Sequence, residues 1–334
     1  MFLSDYEQQY IGGLRKIFKQ GFEDGKNERT GITTKRLPGI VFQVDVEKEF
    51  PILKSKFVAG KTAQREIEWI WKQQSNNIKD LNAHIWDEWA DENGSIGKAY
   101  GYQINKPVEV YLDIVHKTAE SFRTYPSQAH YIIEYLKENP NGRWGVATLW
   151  NPAELSEMGL VPCCHTSTWN LDGGRLNCVL DQRSGDMPYG VPFNTTQYAE
   201  LMIMIAKALS TPEKEVKPGI LTHVIADAHI YANQMSGVDL QLRYYDVMEA
   251  LYEDREEDAF EAARLITDFS TVFFPTVKET PDEIIKKAKE ALVSEPKFVI
   301  NAADPTDFFS YTADDCKIEN YANMGKIDFG DVAV

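Results

Sequence analysis

Apolar residues recur at helical spacing from the start of the chain. Tyr6, Tyr10, Leu14, Ile17 and Phe18, with Lys and Glu between them, predict an amphipathic helix over residues 4–25. The polar stretch Gly25-Lys26-Asn27-Glu28-Arg29-Thr30-Gly31 then reads as a loop, either an ordinary turn or a mobile arginine loop for an anion. Ile40 to Val46 alternates within 37–51, which suggests a strand or hairpin, and Ala63, Ile67, Ile70 and Trp71 give 62–74 a helical face. Glu66 and Glu68 on that helix read first as solvated residues. Trp86 and Trp89 stand three apart in a short helical turn, as core or as the wall of a cavity for a flat ligand.

Residues 108–139 read as helical, with an interruption near Tyr125-Pro126, and 143–150 as a strand. Cys163 is expected at the start of a strand, and Asp172-Gly173-Gly174 as a hairpin turn joining strands near 165–171 and 175–183. A long apolar helix follows over 194–208, then a strand over 222–231 carrying His229-Ile230-Tyr231. Residues 246–295 turn acidic and charged, with helical spacing and solvated faces, before a last strand at 297–300. There is no internal repeat. The uneven alternation of helices and strands predicts a mixed α/β (α+β-like) fold in a single domain spanning 1–334, with 246–295 as a charged helical insertion.

Composition narrows the function. The 43% hydrophobic content suits a soluble protein with a sizeable core, and no apolar run reaches the ~20 residues of a membrane helix. The first residues lack a secretory pattern, so a cytoplasmic location is expected. A net charge of −16 argues against a nucleic-acid substrate but leaves room for a small anion held by a few gathered arginines. The four cysteines show no zinc spacing, so no metal is expected; one of them is a candidate reactive thiol.

The candidate chemistry gathers in residues 162–194. Arg183 lies on the strand expected to pair with that of Cys163, where a cation would favour a thiolate. Arginine followed by Ser184 suits a phosphate, and the Asn194 amide could read a heterocyclic edge. His229 and Tyr231, two apart on a strand, share a face and could bind a sugar hydroxyl. From these residues alone the reading is a cysteine-dependent enzyme acting on a phosphorylated ligand.

Pro162-Cys163, Gln182-Arg183-Ser184, Asp186, Gly190-Val191-Pro192-Phe193-Asn194 and His229-Ile230-Tyr231, in this order, resemble thymidylate synthase. Trp86-Asp87-Glu88-Trp89 and the terminal Val332-Ala333-Val334 fit the same family. The resemblance covers nearly the whole chain outside about 246–295. It implies a bent mixed β-sheet flanked by helices, a sheet-mediated homodimer, and reductive methylation of dUMP with 5,10-methylenetetrahydrofolate as carbon and hydride donor. Cys163 would attack the pyrimidine, Glu66 and Tyr100 would manage water and protons, and Asn194 would read the uracil edge. Arg29, Arg183, Ser184 and a partner-donated Arg143 would hold phosphate, and His229 and Tyr231 the sugar. Asp186, Trp86, Trp89, Leu160, Gly190, Phe193 and Val334 would form the folate side.

Three positions depart from the family pattern. Trp144 stands where a second consecutive arginine is common, which implies one phosphate contact fewer. Cys164 stands where histidine usually follows the nucleophile, displacing that residue to His165, and Thr168 replaces a common glutamine on what is expected to be the substrate side. Cys163 is preferred over Cys164 as nucleophile because it follows the proline and keeps the ungapped spacing to Arg183. Alternatives are a dUMP hydroxymethylase of the same fold and a non-catalytic nucleotide-binding family member.

Overall fold

Ser4 opens the first helix by accepting the Glu7 amide, and the Glu49 carboxylate accepts the Asp5 and Tyr6 amides, so three otherwise orphan donors are satisfied. In the computed structural model, which describes residues 1–23 and 30–330, this helix is α1 (Asp5–Gln20), followed by β1 (Phe22–Glu23) and β2 (Thr34–Asp45). Then come α2 (Gly60–Trp71), α3 (Gly101–Ile104), β3 (Val108–Tyr111), β4 (Phe122–Tyr125), α4 (Gln128–Glu138) and β5 (Gly145–Thr148). The centre holds β6 (Cys164–Asp172), β7 (Arg175–Gln182), β8 (Gly185–Asp186), α5 (Gly190–Leu209) and β9 (Lys217–Tyr231). The last third is α6 (Met235–Tyr252), α7 (Glu256–Phe273), α8 (Pro281–Val293), β10 (Lys297–Ile300) and β11 (Cys316–Glu319).

The main sheet runs β1-β2-β9-β7-β6-β5, with β8 beside β9. It is mixed: β7 and β9 are parallel, joined through α5, while the other neighbours along that order are antiparallel. Gly173 and Gly174 both take positive φ (58° and 80°), the conformation a two-residue hairpin between β6 and β7 requires. Tyr6 and Tyr10 of α1 pack on Phe42, and Thr195 of α5 meets His223, so both helices cover one sheet face. Trp71, Trp169 and Tyr198 interlock beside them, and burying rings of this size contributes about 2–3 kcal/mol each. The opposite face carries Val41 and Val146, 48% and 40% exposed.

Three expectations are corrected. Residues 108–125 form the β3–β4 hairpin, and helix begins only at Gln128. Val108, Val110, Tyr111, Phe122 and Tyr125 are β-branched or aromatic, and a pairing across ten intervening residues overrides the helical count. The strand expected within 37–51 is not a hairpin: β2 pairs with β9, nearly two hundred residues later. Cys163 sits in the bend just before β6. Between Cys164 and Thr166 the register slips, leaving His165 as a bulge residue, so Cys164, Ser167 and Trp169 point inward and Thr168 outward.

The extended segment 50–58 belongs to the site's foundations. The buried Glu7 carboxylate accepts the amides of Lys54 and Ser55. The Tyr321 hydroxyl bonds Leu53, Lys56 and Val58, the Met324 amide donates to Lys54 O, and the Phe57 amide to Gly325 O. The tail 321–330 is thereby stitched along that segment and ends with Phe329 buried against Tyr189.

Candidate active site

A cavity of about 460 Å³ opens where β7, β8 and β9 end beside the first turn of α5, with α2 and residues 85–100 as its other wall. That size suits a small organic ligand. Cys163 and Arg183 are brought together by the strands that follow and precede them: the Arg183 amide donates to Cys163 O at 2.9 Å. The guanidinium is fixed by bonds to Pro162 O (3.0 Å) and Val161 O (2.7 Å), which leaves Nη2 3.8 Å from Cys163 Sγ. A cation held at a thiol favours the thiolate. Its neighbour differs. Cys164 is buried, its Sγ donates to Gln182 Oε1, and burial pushes its thiol well above the ordinary range. Only Cys163 therefore has the exposure and the cation of a nucleophile.

Behind the thiol runs a chain of amides. His223 Nε2 donates to Gln182 Oε1 at 2.7 Å, and its Nδ1 lies 2.9 Å from Thr195 Oγ1. Facing an acceptor, Nε2 must carry the proton, and burial pulls this histidine down to about 3, so it stays neutral. With its oxygen held, Gln182 turns Nε2 toward Ser184 O (2.9 Å) and Asn194 Oδ1 (3.3 Å). Asn194 Nδ2 then donates to Gln197 Oε1 at 3.1 Å. The orientation of the Asn194 amide is thus set by residues on β7, α5 and β9.

The opposite wall is apolar with a buried acid. Trp86 packs against Trp69, Trp89 and Tyr100 at 5.9, 5.5 and 4.9 Å between ring centroids. Glu66 projects from α2 beneath them; burial raises its carboxyl to about 7, against hydrogen bonds from Trp86 and Gln197. Tyr100 accepts the Cys163 amide at 3.2 Å and sits at φ 43°, ψ −102°, a strained conformation for a tyrosine that aims its ring into the cavity. Across from this wall, Asp186 accepts from Gln234 Nε2 (2.9 Å) and the Tyr189 amide (3.4 Å), and burial raises its carboxyl. The buried Lys56 ammonium reaches Pro188 O and lies over the Tyr189 and Phe329 rings, and burial lowers it to about 8.

A sequence model of thymidylate synthase matches residues 8–270. The chain is 37% identical to a thymidylate synthase of Clostridium beijerinckii over 99% of this chain and 100% of that one. The chain belongs to the thymidylate synthase family. It is also 31% identical to thymidylate synthase 1 of Bacillus subtilis over 99% of its length and all of the relative's. The solved thermostable thymidylate synthase A of Bacillus subtilis superposes with a TM-score of 0.72 at 29% identity, covering 98% of this chain and 99% of that one. Membership makes this protein a methyltransferase that forms thymidylate.

Most residues chosen from the thymidylate synthase pattern meet in the one cavity: Cys163, Arg183, Ser184 and Asn194 at its base, Glu66, Tyr100, Trp86 and Trp89 on one wall. Leu160, Asp186, Gly190 and Phe193 line the mouth, and His229 and Tyr231, rings 5.0 Å apart, the sheet side. Arg143 is not among the lining residues; it is exposed just before β5. Arg29 and Val334 lie outside the described residues. The first reading of Glu66 as a solvated residue is corrected, since α2 buries it. Thr168 faces the outer side of the sheet, away from the substrate side where it was expected, because of the bulge at His165. His165 packs its ring on Trp150 and its Nδ1 on Thr166 Oγ1, so it does not stand in for a residue in the cavity. Sequence reasoning missed Lys56, His223, Gln197 and Arg36. A histidine in an apolar strand, at the same parity as His229, was the one available signal for His223.

Proposed function

We propose that the protein converts dUMP to dTMP, with Cys163 as the nucleophile that adds to C6 of the pyrimidine and leaves C5 as the carbon nucleophile. The observation that carries this is the pairing of the Cys163 thiol with the Arg183 guanidinium at 3.8 Å, in the same cavity as a pre-oriented asparagine amide. Asn194 reads the uracil O4 and N3 edge, and its orientation favours uracil because Gln182 and Gln197 fix which end donates. Glu66, near neutrality at about 7, can hold or release a proton at pH 7 beside that edge. Tyr100 orients water for the loss of the C5 proton. His229 and Tyr231 hold the 3′-hydroxyl, and Ser184 and Arg183 share the phosphate with Arg143 of a second copy and with Arg29.

The wall of Trp86, Trp89, Leu160 and Phe193, with the partly buried Asp186 carboxyl at its edge, fits a flat, hydrogen-bonding pterin. 5,10-Methylenetetrahydrofolate, when bound, supplies the one-carbon unit and a hydride. Here the tryptophans exclude water and Asp186 orients the ring, and the family pattern assigns Val334, outside the described residues, to the same side. The sheet face bearing the exposed Val41 and Val146 supports a homodimer through the sheet. We read 246–295 as a helical addition to a single domain, and the enzyme as cytoplasmic.

Incubation with dUMP and methylenetetrahydrofolate should give thymidylate and dihydrofolate by mass analysis. 5-Hydroxymethyl-dUMP with tetrahydrofolate, or no turnover, would refute the reading. With 5-fluoro-dUMP and the folate, the covalent adduct should map to Cys163, and C164A should still form it; an adduct on Cys164 would overturn the assignment.

A further inference from the structure

We infer that Arg36 is an additional anion-binding residue of this cavity, one that contacts the nucleotide phosphate from the sugar side. In the antiparallel pair of β2 and β9, Thr34 stands opposite Tyr231, Arg36 opposite His229 and Pro38 opposite Asp227. Residues directly opposite share a sheet face. The buried and exposed positions change parity at Gly39 (φ 70°) and Ala226, so the pairing with His229 and Tyr231, and not the core residues farther along β2, places Arg36. Arg36 is therefore carried to the cavity mouth alongside the two side chains proposed to hold the sugar, and both Thr34 and Arg36 line it.

The charge balance gives that position its meaning. Among the described residues, the arginines lining the cavity are Arg36 and Arg183, while Glu66, Asp186 and Asp227 line it too. Arg183 spends Nε and Nη2 on Pro162 and Val161 carbonyls and turns toward the thiol. A phosphate monoester carries up to two negative charges and three acceptor oxygens, more than one committed guanidinium can satisfy. In a chain of net charge −16, a further guanidinium at the mouth adds to the pull on a dianion of Arg183 and of the Arg29 and second-copy Arg143 proposed above.

Arg36 Nη1 lies 3.7 Å from Asp227 Oδ2, with the two side chains 46% and 38% exposed, so this ion pair is screened by solvent and contributes little to stability. A purely structural Arg36 would instead hold the β2–β9 register, and the two roles give different results below.

This inference rests on the nucleotide reading of the cavity, and its test needs neither folate nor turnover. Wild type, R36Q and R36K are titrated with dUMP and, by competition, with deoxyuridine, which lacks the phosphate. R36Q should lose about 10- to 100-fold in dUMP affinity, the range of one charge-assisted bond, and R36K less, with deoxyuridine unaffected. In turnover the rise in KM for dUMP should exceed any fall in kcat. Unchanged dUMP affinity in a folded R36Q, or an equal loss for deoxyuridine, would overturn the role of Arg36. Wild type that binds dUMP but makes no thymidylate would refute the proposed reaction and leave the Arg36 comparison decisive; wild type with no affinity for dUMP would sink both.

Discussion

Glu66→Gln removes one proton-binding group from the cavity while keeping its shape and its ability to accept from Trp86. Burial raises this carboxyl from 4.5 to about 7. A rise of that size corresponds to about 3 kcal/mol of destabilisation when the group is ionised. Because the folded value lies above the unfolded one, folding takes up a proton. The penalty is absent below the unfolded value of 4.5, grows as pH rises toward about 7, and is constant above it. Gln carries no such penalty. Between pH 5 and 8 the stability of E66Q relative to wild type should therefore grow by about 2.5 kcal/mol. Urea unfolding of both proteins, without ligands and at one protein concentration, measures this, and every other titrating group cancels in the double difference. Thymidylate formation should be lost in the same variant, a gain of stability at the expense of activity. A stability difference that stays flat between pH 5 and 8 would refute the claim that Glu66 is buried and raised.

Two further outcomes test how the cavity is built. H223F keeps a ring of similar size but strips Gln182 Oε1 of its 2.7 Å donor, so it should cost about 1–3 kcal/mol and weaken dUMP binding. The loss should be about 0.8 kcal/mol smaller at pH 6 than at pH 8, because the unfolded histidine, at 6.5, takes up a proton as pH falls while the folded one, held near 3, does not; a loss equal at the two pH values by thermal melting would contradict the neutral buried form. In G237A, a β-carbon would sit 2.5 Å from Phe329 Cδ1, so the tail should be displaced by overpacking worth about 1–3 kcal/mol. KM for the folate should then rise while dUMP affinity in the absence of folate holds; a larger effect on dUMP would mean that Phe329 supports the nucleotide side.

The sequence by itself determined what is local. Apolar spacing was enough for α1, α2 and α5, and Gly173-Gly174 for the β6–β7 turn, since each depends on residues a few positions apart. The order of the Cys163, Arg183, Asn194 and His229 motifs was likewise readable, and all four meet in one cavity. Everything that depends on two distant elements was decided by the tertiary structure. The pairing of β3 with β4 turned an expected helix into a hairpin. The bulge at His165 sent Thr168 to the outer face, and the closure of α2 under Trp86 buried an acid that looked solvated. His223 acquired its role only by facing Gln182 across the parallel β7–β9 pair, and Arg36 only by standing opposite His229. Periodicity says which residues share a face of one element. Which face meets which neighbour, and in what register, is set by the packing of the whole chain, and that is where these side chains gain their charge states and partners.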